Sequence, residues 1–212
     1  MAATVIQSAH DVLDFWFGQL PLDQAALAER MRYWFAGESD PAAARRHDQA
    51  IRERLVPLLN LAVNNELGGW SASPRRRLAL ILLFDQVPRN AFRGTAAAYS
   101  FDDHALALTV EGLRDAADAP LDPVERLFFY MPLQHAELRS AQDESLRVYR
   151  RLGADAPPAL KPAFESVLEY AHQHAEIINR FGRFPHRNRV LQRVSTPEEL
   201  AWLADSGESF GQ

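Results

Sequence analysis

The chain has 212 residues, of which 47% are hydrophobic and 24% are charged, and its formal net charge is −5. Cysteine is absent, which excludes disulfides, thiolate nucleophiles and Cys-ligated metal sites and favours a reducing compartment. Ala and Leu together number 60, whereas Val, Ile and Thr together number 20, so the composition predicts an all-α protein.

Membrane and nucleic-acid roles are disfavoured by the distribution of apolar and charged residues. The longest unbroken apolar run, Leu78 to Phe84, has 7 residues, far fewer than the ~20 that a membrane span needs. The first residues show no basic segment followed by an apolar stretch, so we expect no export signal and a cytoplasmic location. The negative net charge argues against nucleic acid as a partner.

Helix starts are marked by capping residues, several of them followed by proline. A capping oxygen accepts hydrogen bonds from the unpaired N–H groups of the first turn. Proline at the first helical position costs no backbone hydrogen bond, because an N–H group there has no partner within the helix. The predicted starts follow Ser8, Asp23, Asp40, Ser73, Asp122 and Thr196. The predicted helices are 9–17, 24–36, 41–66, 74–86, 102–116, 123–130, 133–152, 160–181 and 197–205.

The connections between these helices are short, as antiparallel packing requires. We therefore expect about nine to ten antiparallel-packed helices. No flexible linker rich in Gly and Ser divides the chain, so residues 1–212 are predicted to form one domain. Paired helices suggest helical-repeat packing, but no fixed sequence period is visible.

A first polar cluster follows the apolar run. The helix at 74–86 is apolar on every side and is predicted to be buried, and Asp85 near its end therefore needs partners. Pro88 is expected to end the helix, and Arg89 lies just beyond it. The cluster is interpreted either as an ion-paired loop or as the polar wall of a ligand pocket. Its candidate residues are Asp85, Gln86, Arg89, Asn90 and Arg93.

A second cluster surrounds His135. In a helix over 133–152, His135, Gln142 and Ser145 share an otherwise apolar face. Glu137 would point away, and it can join a site only where the backbone departs from regular helix. His135 is interpreted either as a hydrogen-bonded core histidine or as part of a site.

A third cluster closes the helix at 160–181. His174 lies at the edge of its apolar face, whereas His172 lies at the opposite edge, so the two are not a natural metal-binding pair. From Arg180 to Arg193 the chain has five arginines and one histidine, and no acidic residue. Arginine pairs well with carboxylate or phosphate, so this stretch favours a small anionic ligand.

The arginines of this stretch cannot all face one pocket, because the chain must turn after Gly182 and Pro185. We expect Arg183 and Arg187 to point inward. The remaining arginines, expected in surface ion pairs, are Arg180, Arg189 and Arg193. Pairing of the whole stretch with acidic groups of neighbouring helices is the alternative.

Four segments together closely resemble the bacterial domain-of-unknown-function family 924. They are Phe84–Gly94, His135–Gln142, Phe181–Asn188 and Ser195–Leu200. The resemblance implies an all-helical fold similar to tetratricopeptide arrays in packing, and it implies no particular reaction. Ala136 departs from the family pattern, in which serine often stands between the histidine and the glutamate.

Two functions are compatible with these features. The first is a pocket for a small anionic molecule, with acid–base catalysis left open. Its candidate catalytic residues are Asp85, His135 and His174. Its candidate ligand-binding residues are Gln86, Arg89, Asn90, Arg93, Gln142, Arg183, His186, Arg187 and Asn188. Asp85 and the histidines suit a metal by ligand type, but no ligand spacing supports one, so no metal or cofactor is assigned.

The second function is a tetratricopeptide-like interaction module that binds a protein partner in a groove. Such a module predicts side chains spread along an extended surface. The unusual polar residues are instead concentrated in three short segments. The sequence therefore favours the pocket.

Overall fold

The part of the chain that the computed structural model describes, residues 6–35 and 40–206, is built from helices and contains no β-strand. The all-α class is confirmed. The α-helices are α1 (Ala9–Phe17), α2 (Gln24–Trp34), α3 (Pro41–Val63), α4 (Pro74–Ile81), α5 (Val87–Ala91), α6 (Asp102–Arg114), α7 (Pro123–His135), α8 (Arg139–Asp155), α9 (Lys161–Phe181) and α10 (Pro197–Ser206). Short 3-10 helices lie at Gly68–Ala72, Ala96–Tyr99 and Pro185–Arg187. The predicted end of the second helix, at residue 36, lies outside the described residues.

The predicted helix starts hold, and most of the capping bonds form. Asp40 accepts from the Ala43 backbone N–H at 2.9 Å, and Thr196 accepts from the Glu199 backbone N–H at 3.2 Å. Ser73 is the exception, because α4 begins after it without a side-chain capping bond. Each of the other caps satisfies an N–H group that the first helical turn leaves unpaired.

Pro88 does not end the central helix, contrary to the prediction. Leu82–Gln86 form a π-helical turn, and the helix continues as α5 to Ala91. Proline lacks an N–H and its ring crowds the carbonyl four residues earlier, so a regular α-turn is disfavoured there. The wider π-turn lets the Val87 N–H bond to the Leu82 carbonyl, and the chain passes Pro88 without leaving the helix.

The break between α7 and α8 also lies later than predicted. Pro132 lies inside α7, which runs on to His135. Ala136 and Leu138 are extended, and α8 begins at Arg139. His135 therefore ends α7 instead of opening α8.

The apolar run at 78–84 is the buried centre of the fold, as predicted. Every side chain in it is at most 6% exposed, and α4 packs against α1, α6 and α7. α9 packs against α8 and, less extensively, α7, and Tyr170 on its outer face is exposed.

Within the described ranges, no helix has the length and apolar character that crossing a membrane needs.

Candidate functional site

Asp85 lies in the π-turn and is fully buried. Its carboxylate lies 3.0 Å from the Arg89 guanidinium, and Gln86 Nε2 donates to it at 2.6 Å. The predicted burial and ion pair of Asp85 are confirmed. Burial by itself raises the pKa of this carboxyl, but Arg89 and His135 together hold the pKa below its usual range. Asp85 is therefore a buried carboxylate ion with three polar partners.

The backbone of the π-turn is completed by side chains from the next helical turn. Arg89 donates to the Asp85 carbonyl at 2.8 Å, and Asn90 Nδ2 donates to the Gln86 carbonyl at 2.8 Å. Arg89 thus holds Asp85 by both its carboxylate and its carbonyl. The sequence places these donors four residues after their acceptors, where a helix brings them together.

His135 and Asp85 form a hydrogen-bonded pair. The distance from His135 Nδ1 to Asp85 Oδ1 is 2.7 Å. An ionised carboxylate can only accept, so Nδ1 carries the proton and Nε2 keeps a lone pair. Burial and the nearby Arg89 lower the pKa of His135. The pair is therefore a neutral imidazole oriented by a carboxylate, an arrangement suited to accepting a proton.

Gln142 holds the end of α7 that carries His135. Its Nε2 donates to the carbonyls of Gln134 and Ala136, each at 2.8 Å, and approaches the Leu133 carbonyl at 3.3 Å. The last carbonyls of a helix have no partner within it, so these bonds replace the missing ones. Gln142, a predicted ligand-binding residue, here serves to position His135.

We expect Gln142→Met to lower the free energy of unfolding by about 1–3 kcal/mol, because buried carbonyls lose their donor. Ser145, one turn further along α8, is the matched control: it is equally buried, and its Oγ has no hydrogen-bond partner among the described residues. Ser145→Ala should change the free energy of unfolding by less than about 1 kcal/mol. Urea denaturation of both variants measures the difference, and equal losses would contradict the capping role.

Arg187 brings the third segment to the same place. It is 6% exposed, and its NH1 lies 3.3 Å from Asp102, which also accepts from Arg89 at 2.8 Å. The guanidinium carbon lies 4.6 Å from the Tyr99 ring centre and 4.4 Å from that of Phe184. Burial and Arg89 lower the pKa of Arg187 to about 10. The Arg187 cation is thus held by contacts with two aromatic rings and by the Asp102 carboxylate, which it shares with Arg89.

Arg187 keeps unused hydrogen-bonding capacity. Its Nε is buried and has no hydrogen-bond partner among the described residues. A buried N–H that lacks a partner is unfavourable by about 1–3 kcal/mol. A hydrogen-bond acceptor within reach of this atom would remove that penalty.

His174 and His186 surround Phe184. The ring centre of His174 lies 6.4 Å from that of His135, and both His174 and His186 have ring centres 5.5 Å from that of Phe184. Burial lowers the pKa of each to about 3, with further lowering by His135 for His174 and by Arg187 for His186. Both imidazoles are neutral at physiological pH.

Glu137 links the loop after His135 to the loop that carries Arg187. It accepts from the Phe184 backbone N–H at 2.8 Å and from Arg193 at 2.6 and 2.9 Å. The extended conformations of Ala136 and Leu138 supply the departure from helix that the sequence required for Glu137 to take part. Glu137 therefore fixes the distance between the two loops.

Asn90 and Arg93, both predicted to bind a ligand, make contacts within the protein. Arg93 pairs with Asp48 of α3 at 3.0 Å, and Asn90 is used by the π-turn. These residues hold α5 in place because α3 and α5 pack directly.

Arg183 and Asn188 belong to a separate cluster around Glu199. Arg183 lies 2.6 Å from this carboxylate, so the inward orientation predicted for Arg183 is wrong. Asn188 donates to the same carboxylate at 3.2 Å. Glu199 is the capping-box residue of α10 and is buried at the start of that helix. Arg183 is therefore held by Glu199 and does not point toward His135. The predicted surface pair of Arg180 is confirmed, with Glu198 at 2.9 Å.

Three site residues were missed in the sequence: Tyr99, Asp102 and Phe184. Asp102 looks like an ordinary acidic residue in the first turn of α6. Tyr99 lies in a short 3-10 helix with no distinctive pattern. Phe184 lies within the arginine-rich segment that was already a candidate for the site. Its position in that segment is the only sequence signal that could have identified it.

Within the described residues, the Asp85–His135–Arg187 site is neither a metal-type cluster nor part of the groove between α6 and α8. The described residues contain no group of three or more His, Cys, Asp or Glu side chains arranged to hold a metal. A groove of about 440 Å³ runs between α6 and α8, and its lining includes Leu106, Val110 and Leu138. The Asp85–His135–Arg187 site reaches solvent at His135 and Asp102, whose side chains are 14% and 19% exposed.

Comparison with known proteins gives two matches. The family described as "Bacterial protein of unknown function (DUF924)" matches residues 12–207. A solved structure of a protein of unknown function from Agrobacterium tumefaciens is similar, with 34% sequence identity and a TM-score of 0.74. The match covers 92% of this chain and 96% of that chain. No curated protein matches the chain.

Proposed function

Because the chain belongs to the bacterial family DUF924, whose description states no reaction, we propose a function from the site itself: it binds a small anionic molecule. Arg187 binds the anion, and His135 accepts or returns a proton beside it. The observation that carries the proposal is the buried Arg187 Nε, which has no hydrogen-bond partner among the described residues. An anion supplies the missing acceptor and a compensating charge at once.

The charges around Arg187 support a ligand with a single negative charge. Arg89 and Arg187 are in contact with Asp85 and Asp102, so the paired charges balance. Arg187 nevertheless shares the Asp102 carboxylate with Arg89 and is repelled by Arg89, which contributes to the lowered pKa of Arg187. A monocarboxylate brings one negative charge beside Arg187, whereas a dianion brings two into a set of charges that already balances.

We expect acetate to raise the melting temperature of the protein, and to act at lower concentration than succinate or phosphate, which are largely dianions at neutral pH. A ligand that binds only the folded state at ten times its Kd adds about 1.4 kcal/mol of stability. For a chain of this size that corresponds to a rise of roughly 3–6 °C. Differential scanning fluorimetry at constant ionic strength measures the rise.

Two arginine variants separate specific binding from a general salt effect. Arg187→Met should abolish the rise while keeping an apolar stem against Tyr99 and Phe184. Arg180→Met changes a half-exposed arginine paired with Glu198 and should leave the rise intact. A rise that survives Arg187→Met contradicts the proposed site.

A protein-binding role is the second candidate, and the groove between α6 and α8 favours it because much of its lining is apolar. On this alternative, a tetratricopeptide-like module, no small anion shifts the melting temperature and a stoichiometric partner copurifies. That pair of results would reverse the order of the two proposals. The absence of cysteine supports a reducing compartment such as the cytoplasm for either role.

A further inference from the structure

We propose that the Asp85–His135–Arg187 site hydrolyses a small carboxylic ester, with a water molecule as nucleophile and the carboxylate as product. The inference rests on the proposed function, since the anion that binds Arg187 is then the product of the reaction. His135 and Arg187 are its catalytic residues. Asp85 is a positioning residue because it acts through His135.

The first support is the orientation of His135. Asp85 fixes Nδ1 at 2.7 Å, so the basic Nε2 lies on the opposite side of the ring. Asp85 is itself held by Arg89 and Gln86, and Gln142 holds the helix end that carries His135. A neutral imidazole fixed in one tautomer by a buried carboxylate is the arrangement that removes a proton from an attacking O–H group.

The second support concerns the nucleophile. Within the described part of the chain, Asp85 is the hydrogen-bond partner of the His135 imidazole, and no Ser, Thr or Tyr hydroxyl bonds to it. A protein nucleophile would need to lie within hydrogen-bond reach of its base. The 14% exposure of the His135 side chain gives water access to the ring. Water is therefore the nucleophile that this geometry activates.

The third support is the unused donor on Arg187. Attack on an ester converts the neutral carbonyl oxygen into an oxyanion, and a fixed donor aimed at that oxygen stabilises the transition state. Arg187 is fixed by Asp102 and by the rings of Tyr99 and Phe184, while its Nε has no partner among the described residues. Because the local charges already balance, a single developing negative charge fits the site better than a phosphoryl dianion.

The reaction consists of two proton transfers around one tetrahedral intermediate. His135 Nε2 takes a proton from water, the water oxygen bonds to the carbonyl carbon, and the carbonyl π pair moves to the oxygen, which accepts from Arg187 Nε. The pair then returns, the bond from carbon to the alkoxy oxygen breaks, and that oxygen takes the proton from His135. Ester and water become carboxylic acid and alcohol, and the acid releases its proton to solvent.

The test uses the full chain with p-nitrophenyl acetate and p-nitrophenyl butyrate, followed by p-nitrophenol release. We expect saturable turnover with one acetate formed for each p-nitrophenol and no initial burst. His135→Asn keeps an N–H for Asp85 but has no base, and it should lower kcat/KM at least 100-fold. Arg187→Met should lower kcat by a similar factor.

Free imidazole also reacts with activated esters, so a surface histidine is the necessary control. His10 lies 3.3 Å from Asp14 on the exposed face of α1 and reproduces a His–Asp pair outside the site. His10→Asn should leave kcat/KM unchanged. Circular dichroism establishes that each variant is folded, and His135→Gln replaces His135→Asn if the latter does not fold.

Each contrary result identifies the part of the proposals that fails. Turnover that survives both His135 variants overturns the base, and a burst equal to the protein concentration overturns water as nucleophile. If acetate raises the melting temperature through Arg187 while neither ester is hydrolysed, the hydrolysis proposal fails and the anion-binding proposal stands. If hydrolysis depends on His135 but no carboxylate binds, the proposed anion site fails instead.

Discussion

Asp85→Ala is expected to lower the free energy of unfolding by about 3–5 kcal/mol, a large share of the stability of an ordinary domain. The substitution leaves the Arg89 guanidinium, which is 5% exposed, with Asp102 as its remaining carboxylate partner among the described residues. It also removes the acceptor of His135 Nδ1. A buried cation and a buried N–H are thus left undercompensated at once. Guanidinium denaturation measures the loss.

Two further variants make the result interpretable. Glu198→Ala removes a carboxylate that pairs with Arg180 where both side chains are more than half exposed, and it should change stability by less than about 1 kcal/mol. His135→Ala should lower stability by ~1–2 kcal/mol, because it leaves Asp85 still paired with Arg89. If His135→Ala equals Asp85→Ala, His135 is a structural member of the network. A loss at Asp85 as small as that at Glu198 contradicts the buried ion pair.

The second large effect is a loss of stability as the pH falls below about 6.5. Burial lowers the pKa of His174 and of His186 to about 3, whereas unfolded histidine titrates near its usual value of about 6.5. Between these values the unfolded chain binds more protons than the folded chain. Stability therefore rises with pH in this interval, and each histidine contributes a slope of about 1.4 kcal/mol per pH unit at most.

Other titratable groups also make the stability fall as the pH falls, and they limit the pH range in which the histidines can be studied. His47 and His135 also have lowered pKa values, so they add to the slope. The pKa of Glu137 is lowered as well, and that of Glu199 is lowered to about 2, which adds a further loss below about pH 4.5.

Denaturation curves at pH 6.5, 5.5 and 4.5 isolate the histidines. The double variant His174→Asn/His186→Gln should have a smaller slope than the wild type over this interval. A wild-type free energy of unfolding that stays constant from pH 6.5 to 4.5 would show that neither histidine is held neutral.

The central helix and most capped helix starts could be predicted because their signals are local. The run at 78–84 is apolar on every side, and Asp40 and Thr196 act on the N–H groups three residues ahead. The passage through Pro88 and Pro132 could not be predicted in this way. Whether a proline ends a helix depends on what packs around the disturbed turn, and that is set by distant parts of the chain.

The part of the site that could be predicted also depends on local signals. A carboxylate at the end of a buried helix needs a partner, so Asp85 with Arg89 could be inferred from neighbours four residues apart. The choice between Arg183 and Arg187 depended on Glu199, sixteen residues after Arg183, and on Asp102, eighty-five residues before Arg187. Two equivalent arginines cannot be told apart until their acceptors are located.

The π-turn at Leu82–Gln86 holds one residue more than the α-helical spacing, since the Val87 N–H bonds five residues back. Each residue of an α-helix rotates the chain by about 100°. Removing a single residue here would therefore turn α5 by about that angle relative to α4, and Arg89 would no longer lie beside Asp85. The length of this stretch is thus as strongly constrained as its composition. In an alignment with relatives that share the Asp85–Arg89 pair, a one-residue gap should fall outside residues 82–87.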